Sequence, residues 1–217
     1  MKKILGIFAH PDDEALGPSG TLATYAKEHE VYLICVTSGE AAGKTKEEKL
    51  EIGEIRRAEL LKSAKILGIK DVYFLGYEDG QLCNSSYHQL ADDISQKVEA
   101  IRPDTLITFE MRGVSGHIDH ITVSMVTSFV FRQYSFIKKL MYYVTSKHVS
   151  EKNQGYFIFF PEGYERSQVD EVVNVVPVWE TKVKAMHCHK SQLKDVENVL
   201  KNAKGFPQEE YFLIRTK

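Results

Sequence analysis

Two short stretches carry the residue types of a metal centre. His10-Pro11-Asp12-Asp13-Glu14 closes an apolar run, and Gly116-His117-Ile118-Asp119-His120 lies far downstream. Three consecutive acids repel one another unless something positive holds them. In the second stretch two histidines stand three apart, which at the start of a helix puts them on roughly one face. A borderline-soft dication such as zinc takes imidazole and carboxylate, and catalytic sites use three protein ligands plus water. Two histidines and one carboxylate match that set, and a dication would offset the crowding of the acids. Helix capping is the plain alternative, because Asp12 and Asp13 suit a helix N-terminus. The first stretch alone leaves the two readings balanced. A His-x-Asp-His at a second strand end tips the balance to metal.

These residues need elements to bring them together. Residues 4–9, 31–36, 72–75 and 104–108 read as short buried strands, and Lys139–Val144 as a fifth. Between them residues 19–27, Lys46–Leu67, Tyr87–Ile101 and 117–133 carry helical spacing, and Gly68 stops the second of these. Strands alternating with helices imply a parallel sheet, and right-handed crossovers make it doubly wound. Residues 155–161 and 171–178 read as later, antiparallel strands and 182–200 as a final helix. The fold class expected is α/β, a Rossmann-like, mostly parallel sheet with helices on both faces, as a single domain over residues 1–217. Ligands of such sheets sit beyond the carboxyl ends of the strands. The polar segments 10–14, 38–43, 77–81 and 110–120 converge there.

Composition bounds the rest. With 43% hydrophobic and 27% charged residues the chain is neither disordered nor fibrous. A net charge of −2 with scattered charges gives no basic stripe, so nucleic acid is excluded as a partner. The apolar segment before His10 is too short for a signal-peptide core, and no later segment would span a membrane. Cys35, Cys83 and Cys188 are odd in number and far apart, which argues for a reduced, cytoplasmic protein.

"AHPDDE" followed by "GHIDH" resembles the LmbE-like, or PIG-L, family of zinc-dependent N-acetylglucosaminyl deacetylases. "VTSGEAAG", "EIRRAELLKSAKILGI", "EDGQL", "RPDTLIT" and "HKSQL" resemble family segments in the family's order. The resemblance implies His10, Asp13 and His120 as metal ligands, Asp12 as general base, and His117 facing the oxyanion or the leaving amine. The ion implied is Zn2+, with Fe2+ able to replace it in such a site. It implies a small N-acetylglucosamine conjugate as substrate. Arg56 resembles a substrate-contacting arginine, and its planar fork suits an acidic aglycone; its plain reading is a surface ion pair. Asp79 is placed to meet sugar hydroxyls or simply to make a turn with Gly80, and His189 is placed in the pocket by the "HKSQL" resemblance. Asp119 is a candidate orienter of His117 or His120. Glu14 has a similar part or is a solvated helix acid. Membrane glycans are not expected as substrates, and a homo-oligomer is compatible with the reading.

The chemistry follows from general principles. Zinc lowers the pKa of a bound water to about 7. A carboxylate beside that water, off the metal, takes its proton and contributes on the order of 10²–10⁴-fold. In extended backbone Asp12 and Asp13 diverge, so one can hold metal while the other faces water. The metal and a protonated His117 would stabilise the oxyanion.

Two other function classes compete. Gly39 to Thr45 resembles a phosphate-binding loop, but its glycines stand one residue too close. A non-catalytic metal- or sugar-binding module would need neither Asp12 nor His117. Residues 113–117 lack the second glycine of a nucleophile elbow. His187 and Cys188 read as ordinary helix residues, and His29, His88 and His148 have no partner pattern.

Overall fold

The computed structural model describes residues 1–155 and 157–217. Among the described residues seven strands form one sheet: β1 (Lys3–Phe8), β2 (Glu30–Thr37), β3 (Asp71–Tyr77), β4 (Thr105–Phe109), β5 (Lys139–Val144), β6 (Glu171–Asn174) and β7 (Glu209–Thr216). Their order is β3-β2-β1-β4-β5-β7-β6. The first five are parallel, while β7 runs antiparallel to both β5 and β6. The chain leaves β1 toward β2 and returns on the other side at β4. A crevice therefore opens beyond the carboxyl ends of β1 and β4, the switch point where such sheets hold ligands.

The helices are α1 (Asp13–Leu16), α2 (Ser19–Ala26), α3 (Lys46–Leu67), α4 (Tyr87–Ile101), α5 (Gly113–Gly116), α6 (Ile118–Gln133), α7 (Lys147–Lys152), α8 (Trp179–Met186) and α9 (Leu193–Ala203). Alternation along β1 feeds two cores. Leu5 and Ile7 pack with Leu90 and Ile94 of α4 and Val126 of α6, whereas Ile4 and Phe8 pack with Leu22, Leu60 and Ala185 of α2, α3 and α8. Burial on both faces explains why β1 and β2 read as unbroken apolar runs. Helix α3 has both ends specified locally, by a Thr45–Glu48 capping box and by Gly68 at φ 77°.

Differences from the sequence reading lie in the last third. The helix expected over residues 182–200 breaks between α8 and α9. Ser191 donates from its backbone and its hydroxyl to Glu59 (2.9 and 2.6 Å), and His189 turns inward to Glu14 at 2.8 Å. Those tertiary bonds outweigh helical continuity. The strand expected over 171–178 stops at Asn174, and Pro177 lies in a 3-10 turn. The strand expected over 155–161 falls partly on Tyr156, outside the described residues, and residues 157–161 are irregular. Strand β7 has no counterpart in the sequence reading. Among the described residues no helix is long and apolar enough to cross a membrane.

Candidate active site

The three consecutive acids do not share one counter-charge. After β1 the chain turns sharply, with Asp12 at φ 135°, and α1 begins at Asp13. The extended backbone expected there is absent; a strained residue instead sends the neighbouring side chains apart, a conformation that surrounding contacts must hold. Asp12 pairs with Arg56 Nη2 at 3.1 Å. Asp13 meets His120 Nε2 at 3.2 Å and His10 Nδ1 at 3.6 Å, and it accepts the His10 backbone N–H at 2.8 Å. Glu14 accepts from the Ser63 hydroxyl (2.6 Å) and the Asp12 backbone N–H (3.1 Å), and faces His189 Nε2 at 2.8 Å. Glu14 is thus not a solvated helix acid: it is 1% exposed and ties down the strained Asp12 peptide.

The donors suit a divalent ion. His10 Nδ1 and His120 Nε2 are 3.0 Å apart, with Asp13 Oδ1 at 3.2 Å from the latter. Ligand atoms on a tetrahedral zinc, each about 2.0–2.1 Å from it, stand about 3.4 Å from one another. The far nitrogens are anchored, as metal-bound imidazoles require. His10 Nε2 faces Asp79 at 3.0 Å and Asp119 at 3.3 Å, while His120 Nδ1 faces the Gly113 carbonyl at 3.0 Å. His10 also clusters with His117 and His120, where His117 Nδ1 is already taken by the Asp119 backbone N–H at 3.1 Å, and a further grouping joins His10 with Asp79 and Asp119. Its carboxylates are spent elsewhere: Asp119 accepts Gly80 N–H (2.7 Å) and Leu82 N–H (3.2 Å), and Asp79 accepts Ala41 N–H (3.2 Å). The grouping with Asp13 is the better cradle.

Electrostatics agree with that choice. Burial pulls the His10 imidazole down, but hydrogen bonds to Asp119, Asp13 and Asp79 outweigh it and hold His10 well above its ordinary range. Burial pushes Asp13 up, and the His120 charge with hydrogen bonds from His10 and His120 overrides it, so Asp13 lies well below the usual carboxylate range. Without an ion the cluster therefore holds a proton that a dication would displace. Asp12 behaves oppositely. Burial pushes it up to about 6 against the pull of Arg56.

His117 caps α6: its Nδ1 accepts the Asp119 backbone N–H at 3.1 Å. In the neutral ring the proton then sits on Nε2. Burial, followed by the neighbouring His10 and His120, lowers the His117 pKa. A neutral Nε2–H already donates a hydrogen bond, so the protonated form expected from sequence is not needed. His117 lines a cavity of about 420 Å³ together with His10, Asp12, Asp13 and His120.

Other sequence candidates divide between the cavity wall and the shell that supports it. Asp119 is 0% exposed; its carboxylate faces His10 at 3.3 Å, while its backbone N–H is what fixes His117 Nδ1. Asp79 reaches the cavity, but its carboxylate serves His10, which holds it down at about 2 despite its burial. Arg56 lines the cavity too, yet its hydrogen bonds go to Gly39 O (2.7 Å) and Pro11 O (2.8 Å) beside the Asp12 pair. His189 is 0% exposed, faces Glu14 at 2.8 Å and does not line the cavity. Sequence reasoning missed Gly113, where a φ of 73° and the close neighbours His120 Cβ and Ile121 would strain any side chain; its carbonyl is what faces the His120 ring. Glycine in "MRGVSGH" was the available signal.

Residues 5–130, more than half the chain, match the family model described as PIG-L: GlcNAc-PI de-N-acetylase. The chain belongs to the PIG-L family. A 1D-myo-inositol 2-acetamido-2-deoxy-alpha-D-glucopyranoside deacetylase of Actinosynnema mirum is 28% identical over 229 residues, covering 88% of this chain and 81% of that protein. The N,N'-diacetylchitobiose deacetylase of Pyrococcus horikoshii superposes with a TM-score of 0.77 at 22% identity, over 99% of this chain and 84% of that one. GalB, the 4-carboxy-2-hydroxymuconate hydratase of Pseudomonas putida KT2440, superposes with a TM-score of 0.72 at 16% identity, over 100% and 97%. The PIG-L fold thus carries more than one reaction, and the choice falls to the site.

Proposed function

We propose that this chain is a metal-dependent hydrolase that removes the acetyl group from a small N-acetylglucosamine conjugate, with His10, Asp13 and His120 as ligands of a zinc ion. One observation carries the reading: Asp12 lies buried beside the ligand cluster but is bound to Arg56, not to His10 or His120. A carboxylate kept off the donor set is what a general base requires.

When bound, the ion supplies Lewis-acid polarisation of the acetyl carbonyl and acidifies the attacking water. Asp12 Oδ accepts the proton of that water, and Arg56 keeps the carboxylate ionised in a buried setting that opposes charge. His117 Nε2–H faces the oxygen on which charge develops and donates to it. Protonated Asp12 then returns its proton to the departing amine, and the sugar leaves as a free 2-amino group with acetate as co-product. Glu14, through the Asp12 N–H, holds the base in its strained conformation. Asp119 and Asp79 fix His10 from behind.

The nucleotide-binding alternative has little support at the loop it invoked. The Glu48 carboxylate accepts the Lys44 and Thr45 backbone N–H groups (2.7 and 3.4 Å), occupying the helix terminus where a phosphate would sit. The test is acetate release from N-acetylglucosamine and its glycosides, assayed after chelation and after zinc is restored. Zinc-dependent acetate supports the reading, and its absence across the whole set refutes it.

A further inference from the structure

The strained peptide at Asp12 is held from behind, and the hold extends beyond Glu14. Asp12 sits at φ 135° and ψ −21°, a conformation that persists only where neighbours impose it. Its backbone N–H donates to Glu14 Oε2 at 3.1 Å. The other oxygen of that carboxylate, Oε1, accepts the Ser63 hydroxyl at 2.6 Å and faces His189 Nε2 at 2.8 Å. Two contacts on Oε1 thus fix the rotation that presents Oε2 to the Asp12 peptide.

Helix α3 brings these groups together. Arg56, Glu59 and Ser63 stand three and four residues apart and share one face of it. Arg56 pairs with the Asp12 side chain, Ser63 with Glu14, and Glu59 takes the backbone N–H and the hydroxyl of Ser191. That capture of Ser191 fixes the turn between α8 and α9 from which His189 points inward. His189 Nδ1 is buried and meets no hydrogen-bonding group among the described residues, so the ring's polar contact is the one to Glu14. Packing alone does not account for a histidine there, because apolar side chains of similar volume commonly replace a buried ion pair without loss of stability. Substrate contact does not account for it either, since His189 does not line the cavity. The aim of Glu14 does.

We propose that His189 is a positioning residue for the general base: through Glu14 it holds the Asp12 peptide in the conformation that keeps the Asp12 carboxylate beside the metal ligands and off them. This inference rests on the deacetylase reading above. The ligands themselves lie outside this chain of contacts, because Asp13 is fixed by the His10 backbone N–H and by His120. Loss of His189 should therefore leave the cradle in place and let the base drift.

The experiment measures kcat, KM and bound zinc for acetate release from N-acetylglucosamine by the zinc-loaded parent, His189→Leu, His189→Gln and Val98→Ala. A misplacement of about 1 Å costs on the order of 10²-fold, so His189→Leu should lose about 10–10²-fold in kcat with KM and zinc content unchanged. The amide of His189→Gln donates to Glu14 from about the place of Nε2 and should recover most of kcat. Val98 is buried in α4, away from the site, so its truncation lowers stability and should leave kcat alone. In an Asp12→Asn background His189→Leu should cost nothing further, because the group it positions is gone. If His189→Leu fails to fold, His189→Asn takes its place: its shorter amide stops near Nδ1, and the same loss is expected. Undiminished kcat in these variants, equal losses in the Leu and Gln variants, a change in KM or zinc as the main effect, or an equal loss in the Asp12→Asn background overturns the role. If the parent releases no acetate, the deacetylase reading fails and the role with it; an active parent indifferent to His189 overturns the role alone.

Discussion

Replacing Asp12 by Asn should move activity and stability in opposite directions. The amide keeps the size of the carboxylate and can still accept from Arg56, so the ligand set of His10, Asp13 and His120 is left in place. The base is lost, and kcat should fall by about 10²–10⁴-fold. Stability follows from the Asp12 pKa, pushed by burial from 3.8 up to about 6 in the folded chain. A raised folded pKa means that the carboxyl is least costly below pH 3.8 and that stability is lost as pH rises through 6. Above that pH the ionised group costs about 3 kcal/mol, at about 1.4 kcal/mol per unit. A neutral amide removes the cost, less what Arg56 loses with its ionic partner. The metal-free variant should therefore melt higher than the metal-free parent at pH 7.5, by about 2–8 °C at roughly 2–4 °C per kcal/mol. At pH 5 the gap should narrow, because the parent's carboxyl is then largely protonated. Differential scanning fluorimetry in chelator and an acetate assay with zinc measure the two effects. A variant that melts lower than the parent at pH 7.5, or that retains most of its activity, refutes the role given to Asp12.

Further outcomes are expected at the surrounding residues. Asp13→Asn and His120→Ala should lower zinc affinity by at least about 10²-fold, read by competition with a chromophoric chelator, since each removes a ligand; retention of affinity in both would exclude this donor set. Glu14→Gln should destabilise the fold by about 3 kcal/mol, because it strands buried His189 without its charge partner, and it should lower kcat while metal content by elemental analysis is unchanged. Zinc binding at pH 7 should release a proton from the cluster headed by His10, whose pKa is raised, so binding enthalpies in buffers of different ionisation heat should differ and affinity should weaken as pH falls. Equal enthalpies in all buffers would show that no proton is displaced.

The sheet was legible because its strands are buried on both faces. Leu5, Ile7 and Phe8 on β1 and the run from Val31 to Val36 on β2 leave no periodicity but an unmistakable apolar block. Helix α3 was legible from both ends, through Thr45 and Gly68. Strand β7 was not, since it opens with Glu209 and Glu210. Glu210 is buried, accepting the Gly20 and Thr21 N–H groups of α2, a partner invisible in local sequence. The break after α8 was hidden for the same reason: Glu59 and Glu14, which draw Ser191 and His189 aside, are distant in the chain. In the site, residue types and strand ends were enough to bring His10, Asp13, His117 and His120 together. Which nitrogen faces which acid was not, because His10 carries Asp79 and Asp119 on one side and Asp13 on the other. That division depends on the switch-point geometry and on a positive φ at Asp12.

The identity of the metal cradle is tested most directly by anomalous scattering from crystals grown with zinc. One peak per chain is expected, about 2.0–2.2 Å from His10 Nδ1, an Asp13 oxygen and His120 Nε2, with Asp12 outside the coordination shell. A peak at His10 Nε2 between Asp79 and Asp119, coordination by Asp12, or no peak at the end of β1 would contradict it.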